Sequence, residues 1–144
     1  MTSRIGVQKV STSIKNKEIV KEFITMVFHN HDLGNLDGIM RDDYIQHNAD
    51  VPQGKKGFVE FFEKCFKAIP DFRYTLKKIV SDGDLVMTFS TTTGTHTGEW
   101  IGQKATGNKL NFDVVDIFRI QDGQIAEHWD VADTYLLFKQ IGRI

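Results

Sequence analysis

Residues 109–142, KLNFDVVDIFRIQDGQIAEHWDVADTYLLFKQIG, decide the fold, because they contain two strands, a tight turn and a C-terminal helical segment in direct succession. Asp122-Gly123 is a residue pair typical of a two-residue β-hairpin turn. Before this turn, alternate residues share one side of a strand, and that side is apolar apart from one acid. Its members are Phe112, Val114, Asp116, Phe118 and Ile120. An acid in such a row indicates a pocket more than a plain core.

After the turn, strict alternation predicts a second face that mixes apolar and acidic side chains. Its members are Ile125, Glu127, Trp129, Val131 and Asp133. His128 and Asp130 have the opposite parity, so we expect them to face outward, toward solvent or a subunit interface. A bulge would shift this register, and His128 is therefore retained as a minor candidate for the pocket.

The composition is that of an ordinary globular protein. Its 144 residues fit a single domain, and 18 basic and 19 acidic residues give a formal charge of -1. That balance does not fit a protein that binds nucleic acid or an anionic membrane. Cys65 is the only cysteine, so an intrachain disulfide is impossible, and the burial pattern predicts a core thiol rather than a reactive one. With no signal peptide or membrane-spanning segment in view, we expect a cytoplasmic protein.

The rest of the chain predicts helices first and antiparallel strands afterwards. Residues 1–15 show no clear periodicity and are expected to be loosely ordered, ahead of a single domain over 16–144. Asn16 is a plausible cap for a helix from Lys17, a short helix is possible over 36–41, and the apolar spacing of 58–69 is strongly helical. Alternation begins at Phe72, with a bulge expected at Lys77-Lys78. This order predicts an α+β fold with helices on one face of the sheet.

Several of these segments resemble the SnoaL-like polyketide cyclases, a bacterial aldol-condensation group within the nuclear-transport-factor-2-like superfamily. The resemblance runs from Lys17 nearly to the end of the chain. It rests on YIQHN (44–48), GTHTGEWIGQKATGNKL (94–110), VVDIFRIQDGQIAEHWDVAD (114–133) and LLFKQIG (136–142).

The resemblance implies a cone-shaped α+β barrel, in which a curved antiparallel sheet wraps around three N-terminal helices and leaves a deep apolar pocket. It also implies a homodimer formed through the exposed sheet face. In the characterised cyclases, an aspartate near the end of the last strand acts as general acid and base without metal or cofactor. The Trp-x-x-x-Asp spacing of that motif falls on Asp133 here.

Aldol chemistry needs a base that removes a proton beside a carbonyl and a donor that stabilises the enolate. Asp133 and Asp116 have the parity for an apolar pocket, where burial raises the pKa of a carboxyl group. Asp133 could instead cap a C-terminal helix, and Asp116 could be a structural acid paired with an Arg or Tyr. His47 is a third candidate catalytic residue, because imidazole titrates near neutral pH.

Other residues are candidates for binding the substrate rather than transforming it. His96 could anchor a ligand at the pocket mouth or could be an ordinary strand-end histidine. Four aromatic side chains could line the pocket or belong to the core, namely Trp129, Trp100, Tyr44 and Phe62. His29 and His31 are two residues apart on a helix and diverge, and no HExxH, cysteine pair, P-loop or GxGxxG motif is present, so we expect no metal and no cofactor.

The sequence therefore favours a cofactor-independent cyclase or isomerase that acts on a small apolar carbonyl compound. Such an enzyme would be classed as a lyase or an isomerase. In this hypothesis Asp133 is the base, and Asp116 or His47 assists it. The alternative is a non-catalytic protein that binds a small ligand in the same cone. A protein whose cone is filled by side chains would instead indicate an interaction module.

Overall fold

The computed structural model describes the backbone of residues 3–144 and the side chains from residue 11 onward. Its helices are α1 (Ser3–Phe23), which continues into a π-helical turn (Ile24–His29), α2 (Gly54–Ala68) and α3 (Thr134–Gln140). A 3-10 turn covers Leu36–Gly38. The strands are β1 (Met40–Gln46), β2 (Arg73–Asp82), β3 (Leu85–Thr95), β4 (Lys109–Gln121) and β5 (Gln124–Ala132).

The five strands form one sheet in the order β1-β5-β4-β3-β2. Strands β2 to β5 pair antiparallel, whereas β1 joins β5 in parallel, so the sheet is mixed rather than wholly antiparallel. The chain can make that parallel pair because α2 and three strands lie between β1 and β5. The architecture is the predicted α+β cone.

The helices and the inward face of the sheet share one hydrophobic core. From α1 and the π-helical turn, Phe23, Ile24 and Val27 are almost wholly buried. From α2, the fully buried Cys65 lies among phenylalanines, and burial raises the pKa of its thiol well above the ordinary range, as expected of a core cysteine. Each large apolar side chain buried here contributes roughly 1.5–3 kcal/mol.

The predicted hairpin and the predicted bulge are both present. Asp122 and Gly123 have φ values of 52° and 75°, the left-handed pair that a tight type I′ turn requires. The β2–β3 register shifts between Leu76 and Lys78, where the repeated lysines interrupt the alternation.

A second register shift, between β4 and β5, was not predicted and decides the site. Ile120 pairs with Ile125, but the preceding Arg119 pairs with Glu127, so Ala126 is an extra residue on β5. Beyond this bulge the parity of β5 is reversed, which turns His128 and Asp130 toward the inside of the sheet. The prediction that they face outward is wrong for this reason.

Two element boundaries also differ from the prediction. The first helix begins at Ser3 rather than Lys17, and Asn16 lies inside it, where its buried amide donates to the Gly83 carbonyl across the β2–β3 turn. The segment after Asn35 is a 3-10 turn that stops at Gly38, because β1 already begins at Met40.

His29 and His31 attach the end of the π-helical turn and the following loop to the edge strand of the sheet. The Nε2 of His29 lies 2.7 Å from the Tyr74 carbonyl, and the Nε2 of His31 lies 3.0 Å from the Phe72 carbonyl. Since a carbonyl can only accept, each Nε2 carries the proton. These contacts hold the start of β2, which supplies Tyr74 to the site. Of the helices described, none is long and apolar enough to cross a membrane.

Gly57 tests how closely α2 must approach the loop after β1. A Cβ on Gly57 would collide with the backbone of Pro52, whereas a Cβ on Gly38 would meet nothing. We expect Gly57→Ala to lower the free energy of unfolding by about 1–3 kcal/mol, because the backbone contact cannot yield cheaply. Urea denaturation measures it, with Gly38→Ala as the matched control within about 0.5 kcal/mol of wild type. Equal losses in the two variants would contradict the assigned contact.

Candidate active site

A deep cavity opens between the helices and the inward face of the sheet. It contains about 950 Å³ of space free of protein atoms, part of which is continuous with solvent. Nine phenylalanines line it together with Tyr44, Tyr74 and Trp100. Such a wall suits a flat or apolar ligand, which would be oriented by the few polar groups present.

The polar groups of the cavity are concentrated where β4 and β5 pair. Asp116 lies directly opposite Asp130, and His128 is opposite the neighbouring Phe118. The Nε2 of His128 is 2.7 Å from Oδ1 of Asp116 and 4.0 Å from Oδ2 of Asp130. Two carboxyl groups therefore flank one imidazole on the cavity wall.

Asp116 is buried and bonded on both oxygens. Besides the contact with His128, its Oδ2 accepts a hydrogen bond of 2.8 Å from the hydroxyl of Tyr74, which is itself 2.9 Å from Oγ1 of Thr88. Burial, reinforced by the charge of Asp116, raises the pKa of Tyr74 far above its ordinary value, so this phenol stays protonated. The expectation that Asp116 could pair with a tyrosine is met, and the residue also lines the cavity.

Asp130 is held less completely. Its side chain is 17% exposed, and the amide of Asn48 donates to both of its oxygens at 3.1 and 2.9 Å. Burial is the largest influence on the pKa of Asp130 and raises it, although the bond from Asn48 and the charge of His128 oppose the change. A carboxyl group with a raised pKa on the wall of a cavity is suited to exchange protons with a ligand.

Asp133, the residue expected to be the base, does not line the cavity. It is exposed at the start of α3, where its carboxylate accepts a hydrogen bond of 3.1 Å from the Leu136 amide. The structure thus shows the helix-cap alternative. The Trp-x-x-x-Asp spacing therefore leads to an aspartate that lies outside the cavity, whereas Asp130, three residues earlier, lines it.

His47 and Trp129 lie on the outer face of the sheet and not in the pocket. Their rings are stacked with centroids 4.8 Å apart, and the Nε2 of His47 is 2.6 Å from Oε2 of Glu127. Glu127 also accepts from Arg119, and these two partners lower its pKa, His47 having the larger effect. His47 is outside because it has the parity opposite to Tyr44, which is buried on β1. Trp129 is outside because the bulge at Ala126 reverses its face.

The other predicted binding residues divide in the same way. His96 is wholly buried, with its Nδ1 3.0 Å from Oγ1 of Thr106, and does not line the cavity. Trp100, Tyr44 and Phe62 do line it, as expected, and so does His128.

Among the cavity residues that were missed, four belong to its polar network, namely Gln46, Asn48, Tyr74 and Asp130. The period of two along β1 could have found the first two, because Gln46 and Asn48 have the same parity as Tyr44. Tyr74 lies on an inward position of β2 that reads as core. Asp130 could be found only by knowing that β5 contains a bulge.

Asp116, His128 and Asp130 each offer a ligand atom, and these atoms lie within 4.8 Å of one another. Their arrangement is one of hydrogen bonding, since Nε2 and Nδ1 of His128 are directed at Asp116 and Gln46. A cation at this cluster would have to displace the contact between Asp116 and His128.

The chain belongs to the SnoaL-like polyketide cyclase family, whose profile matches residues 18–141. No curated protein sequence matches it. Among solved structures it is similar to TsrD from Streptomyces laurentii, with a TM-score of 0.82, 27% identity and coverage of 91% of this chain and 97% of the other. AclR from Streptomyces galilaeus, named as a candidate hydroxylase, matches with a TM-score of 0.79, 26% identity and coverage of 92% and 98%. IdmH from Streptomyces antibioticus, named as a candidate polyketide cyclase, matches with a TM-score of 0.72, 27% identity and coverage of 88% of this chain and 98% of the other.

The raised pKa of Asp130 predicts a change in stability with a definite sign. Above its folded-state pKa, the folded chain carries this charge at a cost that the unfolded chain does not have. As the pH falls toward the pKa of an unfolded aspartate, about 4, the folded chain takes up the proton first and the cost disappears. Asp130→Asn should therefore raise the free energy of unfolding at neutral pH and lose that advantage in acid.

Urea denaturation of wild type and Asp130→Asn at pH 7 and at about pH 4 measures this difference. Asp113→Asn, on the exposed side of β4, is the control. An Asp130→Asn variant that is less stable than wild type at pH 7 would contradict the assignment of Asp130 as a carboxyl group strained by burial.

Proposed function

We propose that the protein is a cofactor-independent enzyme that performs aldol-type acid–base chemistry on a small, largely apolar carbonyl compound. One observation carries the proposal. Asp130 lies on the wall of an aromatic cavity, and burial raises its pKa toward the range in which a carboxylate is an effective base. A cytoplasmic location is part of the same proposal, in line with the single buried thiol of Cys65.

The first step is removal of a proton from the carbon next to a ligand carbonyl. The C–H bond breaks, Asp130 takes the proton, and the electron pair forms an enolate whose carbon attacks a second carbonyl of the same molecule. The new alkoxide then takes the proton back from Asp130, which restores the carboxylate. The amide of Asn48 orients Asp130 for both transfers.

Asp116 and His128 support this step from the adjacent wall. Their mutual contact leaves Asp116 without a free oxygen, because Tyr74 occupies the other one. His128 is 4.0 Å from Asp130, close enough for its charge to act on the carboxylate that gains and loses the proton. Asp116 is thus assigned to positioning rather than to proton abstraction.

The charge and surface of the cavity favour a neutral ligand. Asp50, Asp116 and Asp130 line it with one histidine, and the remaining wall is mainly aromatic. An anionic ligand would meet like charge there, whereas a compound with several ketones and an aromatic or polyene body would not. The candidate polyketide cyclase IdmH supports the same class of substrate for this chain.

We expect Asp130→Asn to reduce turnover at least about a hundredfold, because general-base catalysis contributes that much or more. The assay follows linear and aromatic polyketones by mass spectrometry in D₂O, where proton abstraction appears as deuterium uptake and cyclisation with dehydration as loss of water. Asp133→Asn is the matched control and should keep full activity, since that residue caps α3 outside the cavity. Loss of activity in Asp133→Asn but not in Asp130→Asn would reverse the assignment.

The second candidate function is a non-catalytic protein that binds a small ligand in this cavity. It is favoured by the contacts of Asp116 and His128, which are fully bonded within the protein and need nothing from a ligand. The same assay separates the two functions. Polyketones that bind tightly and are recovered with unchanged mass and no deuterium would support the carrier.

We also propose a homodimer formed through the outer face of the sheet. One apolar row crosses four paired strands there, made of Val80, Met87, Ile117 and Trp129. Val80 in this row is 59% exposed, and Val131, two residues after Trp129 on β5, is 73% exposed. Exposed apolar side chains that lie next to each other in this way indicate an interaction surface.

Sedimentation of the wild-type chain at micromolar concentration should give a dimer. Met87→Glu should weaken it by at least about tenfold, because a carboxylate would be buried without a partner. Tyr135→Glu is the control, since Tyr135 is also an exposed apolar residue, at 68% against 41% for Met87, but belongs to α3 and not to the sheet. A wild-type monomer, or equal effects of the two substitutions, would contradict the interface.

A further inference from the structure

We propose that Gln46 is a positioning residue that keeps a proton on Nδ1 of His128. As a result, one proton is shared between Nε2 of His128 and Asp116, and these two side chains together carry no net charge next to Asp130. The inference deepens the proposed function by assigning the protonation state of the imidazole next to the base. It is tested without a substrate, so its failure is distinguishable from a failure of the proposed activity.

The first step concerns which way the Gln46 amide faces. Its Oε1 is 3.0 Å from the backbone N–H of His47 and 3.0 Å from that of Asn48, and its Nε2 donates to the hydroxyl of Tyr44 at 2.8 Å. A flipped amide would direct its NH₂ group at two backbone donors and leave the Asn48 N–H without an acceptor, whereas the His47 N–H also donates to the His128 carbonyl at 3.1 Å. The oxygen must therefore be the atom that faces His128.

The second step concerns the backbone of Gln46, which cannot turn to release this arrangement. The side chain of Gln53 accepts from the Gln46 N–H at 3.1 Å and donates to the Gln46 carbonyl. Gln53 thus occupies both backbone groups at the last residue of β1, as a neighbouring strand would. Gln46 itself is buried, so water does not compete for its oxygen.

The proton on His128 follows from these contacts. Oε1 of Gln46 is 2.9 Å from Nδ1 of His128, and an amide oxygen can only accept, so Nδ1 must donate. The other ring nitrogen, Nε2, is 2.7 Å from Oδ1 of Asp116, a spacing that requires a single proton between them. The two forms are imidazolium with carboxylate and imidazole with carboxylic acid, and both are neutral as a pair.

Without the acceptor on Gln46, the same histidine would behave differently. A neutral imidazole would place its only proton on Nε2, facing the Asp116 carboxylate, and the pair would carry a charge of −1. That charge would lie close to Asp130, because Nε2 of His128 is 4.0 Å from Asp130. Gln46 therefore removes one unit of negative charge from the surroundings of the base.

Among the residues whose side chains the structure describes, the charged and titratable groups around His128 are consistent with this assignment. Asp116 approaches from β4 and Asp130 from β5 itself, while Tyr74 of β2 acts through Asp116 and Tyr44 of β1 through Gln46. Burial raises the pKa of both tyrosines, so they remain neutral donors. The remaining ring contact, with Phe118, is apolar.

The test is the nitrogen chemical shift of the histidine rings in ¹⁵N-labelled protein, with the His128 signals identified by their loss in His128→Gln. We expect Nδ1 of His128 to be protonated at neutral pH in the wild-type chain. A wild-type Nδ1 that shows the shift of an unprotonated nitrogen would overturn the proposal, whatever the variants do. His31 is an internal reference, because its Nε2 bonds the Phe72 carbonyl far along the chain from Gln46.

Two substitutions of similar length separate the acceptor from the shape of the side chain. Gln46→Met removes the oxygen and should lower the pH at which Nδ1 of His128 loses its proton by about one unit or more, the worth of a hydrogen bond to a charged group. Gln46→Glu keeps an oxygen acceptor and should retain the proton on Nδ1. An unchanged midpoint in Gln46→Met would overturn the role of Gln46, and if that variant does not fold, the wild-type and Gln46→Glu spectra decide the question.

Discussion

The contact between Asp116 and His128 is the interaction on which the site depends. A carboxylate on the inward face of a sheet, surrounded by phenylalanines, would lose far more in hydration than packing returns. The fold resolves this by placing a partner on each oxygen, His128 from β5 and Tyr74 from β2. Hydrogen bonds between polar side chains therefore connect β2, β4 and β5 at one place on the cavity wall. The rest of the wall can then consist mainly of aromatic side chains.

The geometry of β5 makes that contact possible. Without the extra residue at Ala126, the alternation that starts at Ile125 would carry Glu127 and Trp129 inward and His128 outward. The bulge reverses which side chains of β5 face inward after Ile125. The histidine and aspartate of the segment EHWD therefore face the cavity. Glu127 and Trp129 are then available on the outside to pair with Arg119 and to stack on His47.

This bulge also marks how far the sequence could predict the structure. Periodicity, turn residues and family resemblance predict the hairpin at Asp122-Gly123, the inward row of β4, the helix indicated by 58–69 and the α+β cone. Which side chains of β5 face inward does not follow from the sequence. The bulge at Ala126 leaves no interruption in the sequence pattern that would reveal it. The wrong face placed Trp129 inside and Asp130 outside, and for Asp133 it added to the motif spacing on which that prediction rested. On β1, the expectation followed the reactive side chain of His47, although parity with Tyr44 already favoured Gln46.

The two aspartates of the cavity show how the surroundings divide one chemical group into two roles. Asp116 and Asp130 are opposite each other on neighbouring strands, but their surroundings differ. Within the described part of the chain, the carboxyl group of Asp130 accepts only from the neutral amide of Asn48, and burial raises its pKa. A fully bonded carboxylate is a poor base, since abstraction of a proton would break its hydrogen bonds. The network that satisfies Asp116 is therefore the reason why the proposed mechanism gives proton exchange to Asp130. By the same argument Asp133 at the start of α3, which is exposed and accepts from a backbone amide, has the surroundings of a helix cap.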